Sequence, residues 1–184
     1  MRVEQTELPG VVLLEPRVLT DQRGEFFESY RADRYARITE TQFVQDNVSV
    51  SGRRVLRGLH LQEPRTQAKL VSVLEGEVFD VAVDVRVGSP TFGKCVARIL
   101  SRENRLQLFI PGGFAHGFVV LSEQAIFCYK CSDYYDAPSE ITIRWDDSEL
   151  AIPWPVRDVI VSPRDAAAPP LSALHDRLPR YTER

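Results

Sequence analysis

Long apolar runs are missing from this sequence of 184 residues. No stretch approaches the roughly 20 residues that a membrane span requires, and Met1-Arg2-Val3-Glu4-Gln5 lacks the apolar core of a signal peptide. The expectation is a cytoplasmic protein with no membrane partner. Cysteine is scarce: three residues, an odd number, argue against a disulfide framework and for a reducing compartment. An excess of one charge is lacking as well. With 23 basic and 26 acidic side chains the formal net charge is -3, so no broad field favours nucleic acid or an anionic lipid surface, and any anion site has to be built locally. Helical periodicity is thin, confined to a turn or two at 32–38 and another at 171–177. Repeats and low-complexity segments are absent.

What the chain does contain is a succession of short strand-like runs, at 11–14, 25–30, 43–50, 55–62, 69–74, 77–87, 94–100, 106–110, 117–121, 125–131 and 141–145. Turn formers punctuate them, among them Asp21-Gln22-Arg23-Gly24, Glu75-Gly76 and Pro111-Gly112-Gly113. This spacing predicts an all-β sandwich or barrel forming one domain over 1–184. In the clearest run Phe79, Val81, Val83 and Val85 share one face while Asp80, Ala82 and Asp84 share the other, so one side is expected in a core and the other wet or lining a polar cavity. The tail beyond Trp154-Pro155 is rich in proline and alanine and is expected to wrap the body, which would let Asp165 approach residues distant in sequence.

The most informative stretch is Val55-Leu56-Arg57-Gly58-Leu59-His60-Leu61-Gln62. Imidazole titrates near neutrality, so a pocketed histidine can remove a proton from carbon at working pH. On a regular strand Leu56, Gly58, His60 and Gln62 share a face, and the glycine leaves room for another molecule to approach. A carboxylate behind the ring would orient it, and Asp165 is the candidate. Arg57 lies in an apolar strand where an unpaired guanidinium is expensive, which implies a carboxylate or a phosphate beside it. His116 either closes the turn after Pro111-Gly112-Gly113 or lines the same cavity. Tyr129 and Tyr135 either pack as ordinary strand tyrosines or supply a phenol that returns a proton to the face opposite the base. Lys69 is either a surface lysine or an ammonium beside a ketone oxygen, where it would stabilise an enolate. Arg23-Gly24 is compatible with phosphate binding but weak by itself. A metal is disfavoured: where cupin metal sites use H-x-H, this chain has His60-Leu61-Gln62, and Cys128 and Cys131, three apart on a strand, point to opposite faces.

With those residues assembled, the chain resembles the dTDP-4-dehydrorhamnose 3,5-epimerase family of the cupin superfamily. The blocks that carry the resemblance are Asp21-Gln22-Arg23-Gly24 with Phe27-Glu28-Ser29, Phe43-Val44-Gln45-Asp46-Asn47, Arg57-Gly58-Leu59-His60, Gly76 to Asp84, Ser89-Pro90-Thr91-Phe92-Gly93, Pro111 to Phe118 and Arg144-Trp145-Asp146-Asp147. The resemblance implies a cupin-type jelly roll, a homodimer and no cofactor or metal. It implies a dTDP-linked 4-keto-6-deoxysugar as substrate, His60 as base supported by Asp165, Tyr129 as acid on the other face and Lys69 toward the C4 oxygen. It also implies that Arg23, Glu28, Gln45, Asn47, Arg57, His116, Glu140 and Arg164 hold the nucleotide sugar, with Tyr135 beside the pocket. Ala68 stands where glycine is common, Leu61 where an aromatic is common, and the His60 to Lys69 interval is one residue shorter than in some relatives. Inversion of C3 and C5 together is the first expectation, inversion of one centre the alternative, and a nonenzymatic sugar-binding cupin the reading of a different class.

Overall fold

The computed structural model describes residues 1–182. Along the chain come β1 (Arg2–Gln5), β2 (Val12–Glu15), β3 (Val18–Asp21), β4 (Gly24–Phe27), α1 (Ala32–Tyr35), β5 (Gln45–Gly52), β6 (Leu56–Gln62), β7 (Lys69–Glu75), β8 (Glu77–Asp84), β9 (Cys95–Ser101), β10 (Gln107–Ile110), β11 (Phe114–Val120), β12 (Gln124–Cys131), β13 (Glu140–Thr142) and α2 (Pro163–Ala166). One sheet has the order β1-β2-β10-β7-β12-β5 and a second the order β13-β6-β11-β8-β9, while β3 and β4 pair only with each other. The pairings within these sheets are antiparallel. The arrangement is the expected sandwich, with many strands sharing sheets with distant partners rather than sequence neighbours.

Strand alternation sorts the side chains into three apolar layers. Between the sheets lie Val71, Val78, Ala82, Leu108, Ile110, Phe118 and Phe127. Outside the first sheet, Val12, Leu14, Leu70 and Phe109 are covered by Tyr35, Tyr30 and Phe43 from the segment around α1. Outside the second sheet, Leu59, Val81, Val83 and Ile141 are covered by Leu150, Leu171, Leu174 and Leu178 of the C-terminal segment. At roughly 1.5–3 kcal/mol for each fully buried large apolar side chain, these layers supply most of the drive to fold.

Several expectations are corrected. The second face of 77–87 is not wet: Asp80 and Asp84 are fully buried, because the C-terminal segment covers the valine face and the other face points between the sheets. Strand β11 begins at Phe114, so His116 stands mid-strand and closes no turn. In agreement with expectation, the turn or two at 32–38 is a single α turn, without a side-chain cap, and 171–177 forms a short helix, of the 3₁₀ kind, after Pro170. The tail does wrap the body. Val55 bridges Ile160, Val87 bridges Arg180, and the path delivers α2 against β6.

Candidate active site

At one end of the sandwich the interlayer space is polar and open, forming a cavity of about 740 Å³. Strand β6 supplies its first wall. The register against β11 pairs His116 with His60 but Phe118 with Arg57, so two steps on β11 oppose three on β6. That irregularity puts Arg57 and His60, three residues apart, on the same inward side. Gly58 absorbs it at φ +141°, where a Cβ would stand 2.6 Å from Gly117 Cα. The glycine therefore makes room for the neighbouring strand, not for a ligand as its position beside His60 had suggested.

His60 lines the cavity, and its Nε2 lies 2.8 Å from Asp165 Oδ1. The carboxylate arrives on α2, whose start is fixed by Ser162 accepting from the Asp165 N–H and by Pro163 in the first turn. Asp165 is only 4% exposed. Burial pushes its carboxyl upward, but the hydrogen bond and charge of His60, with the Gly58 N–H and the Ser162 hydroxyl, outweigh this and hold it below the usual carboxylate range. With Nε2 committed to Asp165, Nδ1 is the ring nitrogen left for chemistry.

The opposite wall comes from the other sheet. Tyr129 and Cys131 point inward from β12, Lys69 from β7, and Gln45, Asn47 and Ser49 from β5. Burial raises the Tyr129 phenol above its ordinary value. Burial pushes Lys69 below the ordinary lysine value, against the opposing charges of Glu140 and Asp80. Lys69 thus points its amine into the cavity and is not a surface residue. Cys128 faces away from Cys131, as strand geometry requires, and all three cysteines are free. Among the described residues no group of three or more histidine, cysteine or acidic side chains is spaced to hold a metal ion.

Charged and polar groups gather at the mouth. Glu140 Oε2 accepts from the Tyr135 hydroxyl at 2.7 Å and from Arg164 at 2.6 Å. The Tyr135 N–H in turn donates to Gln45 Oε1 at 2.9 Å. Arg57 is exposed to the cavity and donates from Nε to Ser51 Oγ at 3.1 Å. No carboxylate pairs with it among the described residues, so its charge is available to a phosphate.

The structure thus brings together His60, Asp165, Tyr129, Lys69, Gln45, Asn47, Arg57, His116, Tyr135, Glu140 and Arg164, drawn from six strands, the β12–β13 loop and the C-terminal segment. It does not bring Arg23 or Glu28 to this cavity. Arg23 pairs with Asp21 at the tip of the β3–β4 hairpin, and Glu28 pairs with Arg34. Sequence reasoning passed over Asp80, whose Oδ2 lies 2.8 Å from His116 Nε2. It also passed over Ser51 behind Arg57 and the stacked pair Phe118 and Phe127 in the cavity wall. The signal for Asp80 was present, an acidic residue at an alternate position of an otherwise apolar run.

Comparison with known proteins agrees with this geometry. A family model described as dTDP-4-dehydrorhamnose 3,5-epimerase matches residues 5–173. The dTDP-4-dehydrorhamnose 3,5-epimerase of Pseudomonas aeruginosa is 54% identical over 168 residues, 90% of this chain and 93% of that protein. The protein of the same name from Neisseria gonorrhoeae is 51% identical over 91% of this chain, which spans only 52% of that longer relative. A crystal structure of dTDP-6-deoxy-D-glucose-3,5-epimerase from Legionella pneumophila Philadelphia 1, in complex with dTDP-4-keto-L-rhamnose, is similar with a TM-score of 0.96 at 52% identity, covering 99% of each chain.

Proposed function

The chain belongs to the dTDP-4-dehydrorhamnose 3,5-epimerase family, and from that premise we propose how its cavity works. The protein is an isomerase of nucleotide sugars that converts dTDP-4-dehydro-6-deoxyglucose into dTDP-4-dehydrorhamnose. The C4 ketone acidifies the hydrogens at C3 and C5, because the carbanion left at either carbon delocalises onto the oxygen. His60 Nδ1 takes the proton while Asp165 steadies the resulting imidazolium. Lys69 offsets the charge that develops on the C4 oxygen. Tyr129, coming from the facing sheet, returns a proton to the other side of the carbon, which inverts it. No redox step is involved.

The observation that carries this reading is the 2.8 Å contact of the buried Asp165 with His60, set across the cavity from the Tyr129 phenol on the facing wall. Gln45, Asn47, Arg57, His116, Tyr135, Glu140 and Arg164 are assigned to holding the nucleotide sugar, with Arg57 on the diphosphate. The test is incubation with the 4-keto sugar in deuterated water. Deuterium at both C3 and C5 is expected; deuterium at C3 alone would make the protein a mono-epimerase, and none at either carbon would leave a sugar-binding protein without the activity.

The single domain over 1–184 works as a homodimer in the cytoplasm on this reading. Arg23 and Glu28 are assigned to the substrate, yet neither lines this chain's own cavity, so a second copy is their source. Support comes from the β3–β4 hairpin, where Phe26 is 70% exposed, and from β5, an edge strand with Val48 and Val50 turned outward. Light scattering of the purified protein at twice the 20.9 kDa chain mass would agree; a monomer that remains fully active would not.

A further inference from the structure

Gln62, two residues beyond His60 on β6, is given no task by the chemistry above. It lies on the cavity wall yet is only 4% exposed. Its side-chain amide is turned to backbone: Nε2 donates to the Arg65 carbonyl at 3.0 Å and to the Tyr134 carbonyl at 3.3 Å, and Oε1 accepts from the Asp136 N–H at 2.8 Å. Both amide hydrogens are thereby used, so Gln62 has no donor left for a ligand. The Tyr134 carbonyl belongs to the peptide unit before Tyr135, and the Asp136 N–H to the unit after it. The Tyr135 N–H, in that first unit, also donates to Gln45 Oε1 at 2.9 Å. The backbone on either side of Tyr135 is therefore fixed from the cavity wall. The Tyr135 hydroxyl donates to Glu140 Oε2 at 2.7 Å, and Glu140 is the cross-strand partner of Gln62. Tyr135 lines the cavity while 55% exposed. With so little packing around it, hydrogen bonds rather than burial decide where its ring stands.

We infer that Gln62 is a positioning residue: by clamping the two peptide units that flank Tyr135, it holds that ring at the cavity mouth before any ligand arrives. The inference rests on the epimerase reading, in which Tyr135 helps to hold the nucleotide sugar. A loop ordered in advance spares the ligand the entropy of ordering it, whereas a loop freed by the loss of Gln62 must be ordered at each binding event. That cost is the same for bound substrate and transition state, so it raises KM and spares kcat. The rest of the loop has its own anchors. Arg65 makes a two-point ion pair with Asp133, and the Asp136 side chain accepts from the Ser139 N–H to cap the turn at 137–139. Loss of Gln62 thus loosens Tyr135 without detaching the segment. A purely architectural Gln62 would instead lower the melting temperature and leave the KM of the folded protein intact.

The test is Gln62→Met, which keeps the length and bulk of the side chain but removes its three hydrogen bonds. Wild-type turnover of the dTDP-linked 4-keto sugar is the control, and its absence would refute the epimerase reading itself. With that control positive, KM of the folded variant should rise about tenfold while kcat stays within about threefold. A folded variant with KM within about twofold of wild type overturns the inference, whatever its melting temperature. The route through Tyr135 is tested in a Tyr135→Ala background, where adding Gln62→Met should change KM by less than about twofold because the ring it positions is gone. A further rise of about tenfold there also overturns it. Should Gln62→Met not fold, hydrogen exchange of the wild type decides. The Asp136 amide should exchange at least about tenfold more slowly than an unstructured amide with no nucleotide sugar present; protection that develops only when the sugar is added overturns the inference.

Discussion

Replacing Asp165 by asparagine changes the dyad by one atom and probes it most cleanly. Asp165 accepts from two sides, with Oδ1 2.8 Å from His60 Nε2 and Oδ2 3.5 Å from the buried Gly58 N–H. An asparagine whose oxygen continues to serve Gly58 must turn its NH₂ toward His60. Nε2 then becomes an acceptor and the ring proton moves to Nδ1, the atom that should collect the substrate's hydrogen. A base held in the wrong tautomer by the same substitution loses on the order of 10⁴ in kcat in serine proteases. Here a loss of about 10³- to 10⁴-fold is expected, equivalent to about 4–5.5 kcal/mol at 1.36 kcal/mol per decade. The assay is the rate of deuterium uptake at C3 from deuterated solvent at pH 7, which reads proton abstraction without requiring product. Stability provides a second readout. The Asp165 carboxyl is held below the usual range in the folded protein, so the pair's contribution is present above the unfolded value of about 3.9 and disappears as pH falls through the folded value. The gap in melting temperature between wild type and variant should therefore narrow below about pH 4. Uptake in the variant within about threefold of wild type would refute the reasoning about the tautomer.

Three further outcomes are expected. Tyr129→Phe should lower product formation by about 100-fold or more while deuterium uptake at C3 falls by less than about tenfold, because abstraction precedes the acid's step; equal losses would remove Tyr129 from that role. Arg57→Ala should raise KM for the nucleotide sugar about tenfold or more with little change in kcat, since it deletes a charge assigned to the non-reacting diphosphate; steady-state kinetics with KM unchanged would contradict the assignment. Gly58→Ala forces a Cβ to within 2.6 Å of Gly117 Cα at φ +141°. A cost of roughly 2–4 kcal/mol is expected, or about 5–15 °C in Tm for a chain of this size. A calorimetric Tm close to wild type would show that the β6–β11 irregularity relaxes without cost.

The fold was legible wherever alternation was strong. Strands β7, β8 and β12 lie within a residue or a few of the runs expected from their valines, phenylalanines and tyrosines, and Asp165 reached His60 as the wrapping tail suggested. Strand β1 escaped notice because Arg2-Val3-Glu4-Gln5 is exposed at every position, so it carries no period to read. β3 was hidden for a similar reason, being half of a two-stranded hairpin outside the main sheets. The buried role of Asp80 was lost because an aspartate in an alternating strand is ordinarily a solvent-facing residue, and only the covering of the valine face by the distant C-terminal segment turns that face inward. The pairing of Arg57 with His60 on one side depends on a register shift that a strict period of two cannot foresee. Arg23 and Glu28 do not line the cavity. Their motif is local, while the cavity they were assigned to is assembled from strands elsewhere.

The account stands on a base and an acid that approach the sugar from opposite walls. The most direct measurement is a crystal structure with a dTDP-linked 4-keto-6-deoxysugar, or a slowly reacting analogue of it, in the cavity. The account predicts C3 and C5 within about 3.5 Å of His60 Nδ1 on one face of the ring, with the Tyr129 hydroxyl near the other face and the C4 oxygen beside Lys69. A sugar with His60 and Tyr129 on the same face, or with its carbonyl turned away from Lys69, would contradict it.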